Sequence, residues 1–261
     1  MNSRFWILAA SLLFFLGPSA QAQPAQQGKN LLAIRGKQVE VYYYPSQGGP
    51  PRKGRVLFAP GDLGMHGLAV TIAQTMASWG YDVYGVDTRQ YLEAFTGKPP
   101  LRVQDVVDDF RTLVQWASAG SNEKVTLVGW SEGAGLCLAA AASEADRDRF
   151  RGLVVFGLTE TNALAWHWSD FLASLVNKEA SEPVFLSVDY LPQVAPLPLL
   201  VIQSTGDQYV SVAAQQKMFD TAKDPKRLVV IEAANHRFEG SQALLFRKIQ
   251  EGLDWMRQEQ P

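Results

Sequence analysis

Apolar positions along this chain follow two alternating rhythms. Short, nearly continuous runs of β-branched and aromatic residues at 55–59, 81–86, 125–129, 153–156, 199–202 and 228–231 read as buried strands. Between the early runs, Leu68, Ile72, Met76 and Trp79 recur at helical spacing, with Gly80 as a stop. Val103, Val106, Val107, Phe110, Leu113, Val114 and Ala117 repeat the pattern and end near Gly120. Further helices are predicted over 134–142, 212–222 and 243–256, and an alternating edge strand over 38–44. Buried-type strands interleaved with amphipathic helices predict an α/β chain whose mostly parallel sheet is covered on both faces.

Two stretches depart from this rhythm. The first residues, MNSRFWILAASLLFFLGPSAQAQ, set a basic residue, an apolar run and an Ala20-Gln21-Ala22 site in the order of a secretory signal cleaved after Ala22. The apolar run is shorter than the roughly 20 residues of a membrane span. An uncleaved anchor is the competing reading. Export to the periplasm or beyond is the expectation, with 1–22 as signal peptide, 23–36 as a flexible leader and 37–261 as one domain. The second stretch, residues 159–197, is too long for a simple connection and is read as a lid-like insertion over one end of the sheet.

Composition narrows the function. With 261 residues, 47% of them apolar, the chain can build a sizeable core. A net charge of −2 without long runs of one sign argues against a nucleic-acid partner. The single cysteine, Cys137, cannot form an internal disulfide and reads as a buried, inert thiol. One cysteine and three histidines (His66, His167, His236) give no recognisable metal-ligand spacing, which leaves only carboxylate-rich metal sites open.

The chemistry gathers at VTLVGWSEGAGLCLAAAA, where a strand runs directly into a helix. In Gly129-Trp130-Ser131-Glu132-Gly133 the serine sits at that corner, at the carboxyl end of a strand, where open α/β sheets bind ligands. A serine needs an oriented base. Of the three histidines, only His236 follows a late strand, in AANHRFEG. Asp207, in STGDQYV, follows the preceding strand and is the candidate acid; the competing reading makes it a helix N-cap. Asp87 is a weaker rival, read as a structural loop residue. The glycine-rich loop FAPGDLGMHG places the backbone N–H of Asp62 as an oxyanion donor beside that of Glu132. Leu63, Trp130, Trp166 and Trp168 are candidate pocket residues. The carboxylates of Asp62 and Glu132 either hold a substrate cation or tie down their loop.

Through Gly129–Gly133, Asp207 and His236, in that order, the chain resembles the α/β-hydrolase superfamily over nearly all of its mature length. APGDLG and YDVYGVDTRQYL, with the export signal, resemble the VirJ/AcvB-type exported bacterial hydrolases, although the loop reads GDLGMH where that group tends to have GDGGW. The resemblance implies the α/β-hydrolase fold and, for some members, cleavage of aminoacyl groups from phospholipids. The expected activity is serine-dependent hydrolysis of a small-molecule or lipid-like carboxylic ester. It needs no cofactor or metal and is compatible with peripheral membrane contact. A peptidase or amidase on the same residues, or a silent binding module of the same fold, are the alternatives.

Overall fold

The computed structural model describes residues 25–166 and 183–259. The predicted signal peptide therefore lies outside the described residues, as do His167 and Trp168. Strand β1 (Gly28–Ile34) turns back into β2 (Lys37–Tyr44) through Arg35 and Gly36, whose φ values of 45° and 78° make a tight two-residue hairpin. Then come β3 (Gly54–Ala59), α1 (Leu68–Ser78), β4 (Tyr81–Val86), α2 (Thr88–Phe95), α3 (Val103–Ala117), β5 (Val125–Trp130), α4 (Glu132–Ala141) and β6 (Phe150–Phe156). A short pair, β7 (Thr161–Ala163) and β8 (Val184–Leu186), precedes β9 (Leu199–Ser204), α5 (Val212–Thr221), β10 (Lys226–Ile231) and α6 (Gln242–Glu259).

Eight strands form one sheet in the order β1-β2-β4-β3-β5-β6-β9-β10, in which only β2 runs against the others. One face packs on α1 and α6 through Phe58, Ile72, Met76 and Leu253. The other packs on α3 and α4 through Leu57, Phe110, Leu113 and Leu127. In α3 the buried stripe Val106, Val107, Phe110, Leu113, Val114 and Ala117 is the one its spacing predicts. Truncating a fully buried residue such as Phe110 costs about 3–5 kcal/mol. Helix α4 is buried from Gly133 to Ala141, and Cys137 is a free, buried thiol whose burial pushes its pKa up. Among the described residues no helix is long and apolar enough to cross a membrane.

Two features correct the sequence reading. Residues 28–34 fall in the expected flexible leader but form the edge strand, so β2 lies second from the edge. The cause is long-range: Arg35 pairs through two nitrogens with the buried Asp109 of α3 at 2.7 and 2.6 Å, and the Tyr91 hydroxyl donates to the same carboxylate at 2.8 Å. Second, α2 follows β4 directly, because the Asp87 side chain caps it by accepting from Gln90 N at 3.0 Å. Gly135 of α4 makes room for the side chain of Asn162 in β7. The described part of the 159–197 insertion thus packs on α4, and Asn162 donates to the Ser187 hydroxyl at 2.9 Å within it.

Candidate active site

Parallel strands β3, β5, β6, β9 and β10 lie side by side and bring their carboxyl ends to one edge of the sheet. Ser131 stands immediately after β5, with φ 56° and ψ −125°, a backbone conformation that costs a non-glycine residue about 1–3 kcal/mol. Hydrogen bonds on both sides hold it there. Ser131 N donates to Phe156 O at 3.1 Å, and Ala134 N donates to Ser131 O at 2.8 Å. The flanking glycines are required by close approach. A Cβ on Gly133 would run into the carbonyls of Ala59 and Pro60, and one on Gly129 would lie 2.5 Å from the Ala134 Cα.

On one side of this corner lie the loops after β9 and β10. They carry Asp207 and His236, and Asp207 Oδ2 is 2.7 Å from His236 Nδ1, both side chains being buried. Asp207 Oδ1 accepts from Tyr209 N at 2.9 Å and Val210 N at 3.2 Å. Burial opposes the charge on Asp207, but the His236 hydrogen bond and the two backbone donors outweigh it and hold the carboxyl below its ordinary pKa. An ionised Asp207 can only accept, so the proton of neutral His236 lies on Nδ1 and leaves Nε2 as the basic nitrogen. Nε2 is buried and has no hydrogen-bond partner among the described residues. The helix-cap alternative for Asp207 fails, since Ser211 caps α5 by accepting from Ala214 N at 3.1 Å.

The imidazole is also packed against the serine's neighbours. Its ring stacks on Trp130 at a centroid distance of 6.3 Å, and Tyr209 meets it edge-on at 5.0 Å. Trp130, expected among pocket residues, is buried between His236 and Phe156 and supports the imidazole ring.

On the other side lies the loop after β3. Asp62 N donates to Glu132 Oε2 at 3.2 Å, and the Ser131 hydroxyl donates to the same oxygen at 2.7 Å. Glu132 therefore ties the loop to the corner, the plainer of the two readings its sequence position allows. The Glu132 amide is the first of α4 and has no earlier helical carbonyl to bind. Burial first, and then the charge of Glu132, push the pKa of Asp62 up, while Arg237 and His236 act against the rise.

Leu63 is 40% exposed and Tyr209 68%, so both offer apolar surface near these loops. The Trp166 amide donates to Thr96 Oγ1 at 2.9 Å, and its ring lies under Arg89 at 4.5 Å. Asp87 accepts from Met65 N and Gln90 N and is structural, as expected. His66 is exposed and holds Leu63 O through Nδ1 at 3.1 Å. Sequence reasoning named Tyr209 only as part of a motif; its place two residues after Asp207 is the signal that could have found it.

This sheet order, with a serine on a strained corner after its fifth strand, decides the architecture. The chain has the α/β-hydrolase fold. The family model for the alpha/beta hydrolase fold matches residues 54–173, from β3 into the insertion. The chain is 22% identical over 204 residues to the uncharacterized protein YfhR of Escherichia coli O157:H7, covering 77% of this chain and 70% of that one. Among solved structures it is similar to Est1E from Butyrivibrio proteoclasticus, with a TM-score of 0.65 and 14% identity over 88% of this chain and 99% of the other. It is also similar to XC6422 from Xanthomonas campestris, described as a serine hydrolase without lid, with a TM-score of 0.59 and 19% identity over 89% and 95% of the two chains.

Proposed function

We propose that this chain is a serine hydrolase that cleaves a carboxylic ester through an acyl-enzyme. The observation that carries this reading is the buried Asp207–His236 pair, which leaves Nε2 as a base beside the corner that presents Ser131. His236 takes the hydroxyl proton as Ser131 Oγ attacks the carbonyl carbon. The C–O bond to the leaving group then breaks, and His236 returns the proton to the departing oxygen. The amides of Asp62 and Glu132 bind the oxyanion, and water releases the acid in a second round with His236 again as base. Asp207 holds the imidazole and stabilises its cation.

The esterase and serine-hydrolase descriptions of structural neighbours support this class. Exposed Leu63 and Tyr209 support an apolar or lipid-like ester, with aminoacyl lipids as one form suggested by the VirJ/AcvB resemblance. The N-terminal pattern supports export through cleavage after Ala22, which N-terminal sequencing of the mature protein checks.

The deciding experiment is labelling of the folded protein with a fluorophosphonate probe, beside Ser131→Ala and His236→Ala. Labelling of the wild type that disappears in both variants is expected. Equal labelling of Ser131→Ala would move the nucleophile elsewhere and end this assignment.

A further inference from the structure

The Glu132 carboxylate lies where the oxyanion of a bound substrate would have to sit, beside the Asp62 amide. One oxygen, Oε2, accepts both from the Ser131 hydroxyl at 2.7 Å and from the Asp62 amide at 3.2 Å. It thus holds the proton that His236 has to remove and a donor that a substrate's oxyanion would need. A Cβ placed on Gly61 would lie 3.1 Å from Ser131 Cβ and 3.6 Å from Glu132 Oε2, so the carboxylate fills the gap between loop and corner. The groups facing it are the Ser131 hydroxyl, the Asp62 amide and the Asp62 carboxyl, whose pKa burial and then Glu132 raise. Glu132 is the first residue of α4, where the helix dipole favours an anion, and its half-buried side chain retains access to solvent.

We propose that Glu132 is an internal occupant of the oxyanion site, and that its carboxylate must swing away before an acyl group can bind. The inference rests on the serine-hydrolase reading above. Two negatively charged oxygens cannot share the Asp62 N–H, so substrate and Glu132 compete for it. Displacement frees the hydroxyl to turn toward His236. Glu132 is in this sense a positioning residue that sets how readily the site opens, and substrates that bind strongly elsewhere on the surface gain most.

The test compares wild type, Glu132→Gln and Glu132→Ala as full chains. It measures the second-order rate of fluorophosphonate labelling, kcat and KM on p-nitrophenyl acetate, and thermal melting. Glutamine keeps an acceptor oxygen without the charge, so the occupant model orders the rates Ala above Gln above wild type. The hydrogen bonds to a charged group that are lost predict a gain of roughly ten- to hundredfold for Glu132→Ala, mostly as a lower KM. A wild type that labels as fast as or faster than Glu132→Ala, with Glu132→Gln equal to wild type, would overturn the occupant and make Glu132 a loop brace, leaving the serine assignment intact. Absence of labelling in all three folded proteins would remove both readings. A silent wild type beside a labelled Glu132→Ala would give the occupant its strongest support. If Glu132→Ala fails to fold, a Glu132→Gln faster than wild type supports the occupant, and one equal or slower overturns it.

Discussion

Asp207 and His236, on loops after β9 and β10, hold each other directly at 2.7 Å. Ser131 and Asp62, on loops after β5 and β3, are linked by hydrogen bonds through Glu132, whose one oxygen accepts from both. In the proposed hydrolase the first half is assembled for use, with a charged acceptor, a fixed tautomer and an Nε2 that has no hydrogen-bond partner among the described residues. The second would then be at rest, in an arrangement that the proposed reaction has to undo. The difference lies in the ligands each half must meet. A base that only exchanges a proton can be held permanently, whereas an oxyanion site must be vacated for every substrate.

The largest effect is expected from disturbing the permanent half. In Asp207→Asn the carbonyl oxygen has to stay on the amides of Tyr209 and Val210, which turns the NH₂ group toward His236. Two donors cannot face each other, so the imidazole moves its proton to Nε2 and loses its function as base. We expect kcat to fall by about 10⁴-fold with the fold retained, read by ester hydrolysis beside circular dichroism. An activity within tenfold of wild type would mean that the acid is dispensable and that the two halves do not differ as argued. The same residue gives a stability prediction. Its folded pKa is lowered, so its stabilisation is present above the unfolded value of about 3.9 and is lost as pH falls through the folded value. Thermal melting should show wild type losing more stability than Asp207→Asn on acidification through this range.

A smaller effect is expected in the other half from Gly133→Ala. The added methyl group meets the carbonyls of Ala59 and Pro60, which are backbone and can yield only by moving the loop that carries the Asp62 amide. Loss of one oxyanion donor predicts a fall in kcat of about 10²–10³-fold. The Nδ1 proton resonance of His236 should persist, because the acid–base half does not lean on that loop. If that resonance vanished with the activity, the separation of the two halves would fail.

Much of this arrangement is legible in the sequence, and what is not has a common cause. The six strand runs, the stripe of α3 and the order Ser131, Asp207, His236 are written in local periodicity and in turn residues at strand ends. The hairpin of β1 and β2 is not, because its turn is Arg35-Gly36 rather than an Asn-Gly or Asp-Gly pair and its anchor is Asp109, far along the chain. Helix α2 is short and starts at an aspartate that could equally serve a loop. Gly135 shows the same limit: its neighbour Asn162 belongs to an insertion whose path no local pattern describes. The seat of Glu132 is a rotamer choice fixed by two donors from different loops, which no spacing encodes.

The smallest effect concerns the charge balance of the resting half. Burial, with Glu132 second, raises the folded pKa of Asp62. For a raised acid the sign is the reverse of that for Asp207: ionisation opposes folding, and the penalty is absent below the unfolded value of about 3.9 and complete above the folded one. Asp62→Asn keeps the backbone amide and removes the charge. It should therefore melt slightly higher than wild type near neutral pH, by on the order of 1 °C, and the gain should vanish at about pH 3, where wild-type Asp62 is itself protonated. Placing Glu132→Gln in the same series sharpens the comparison. If the repulsion lies between these two carboxylates, the stabilisation by Asp62→Asn shrinks in the Glu132→Gln background. A gain unchanged by Glu132→Gln would assign the whole effect to burial, and the resting half would then be held by its hydrogen bonds without opposition from its charges.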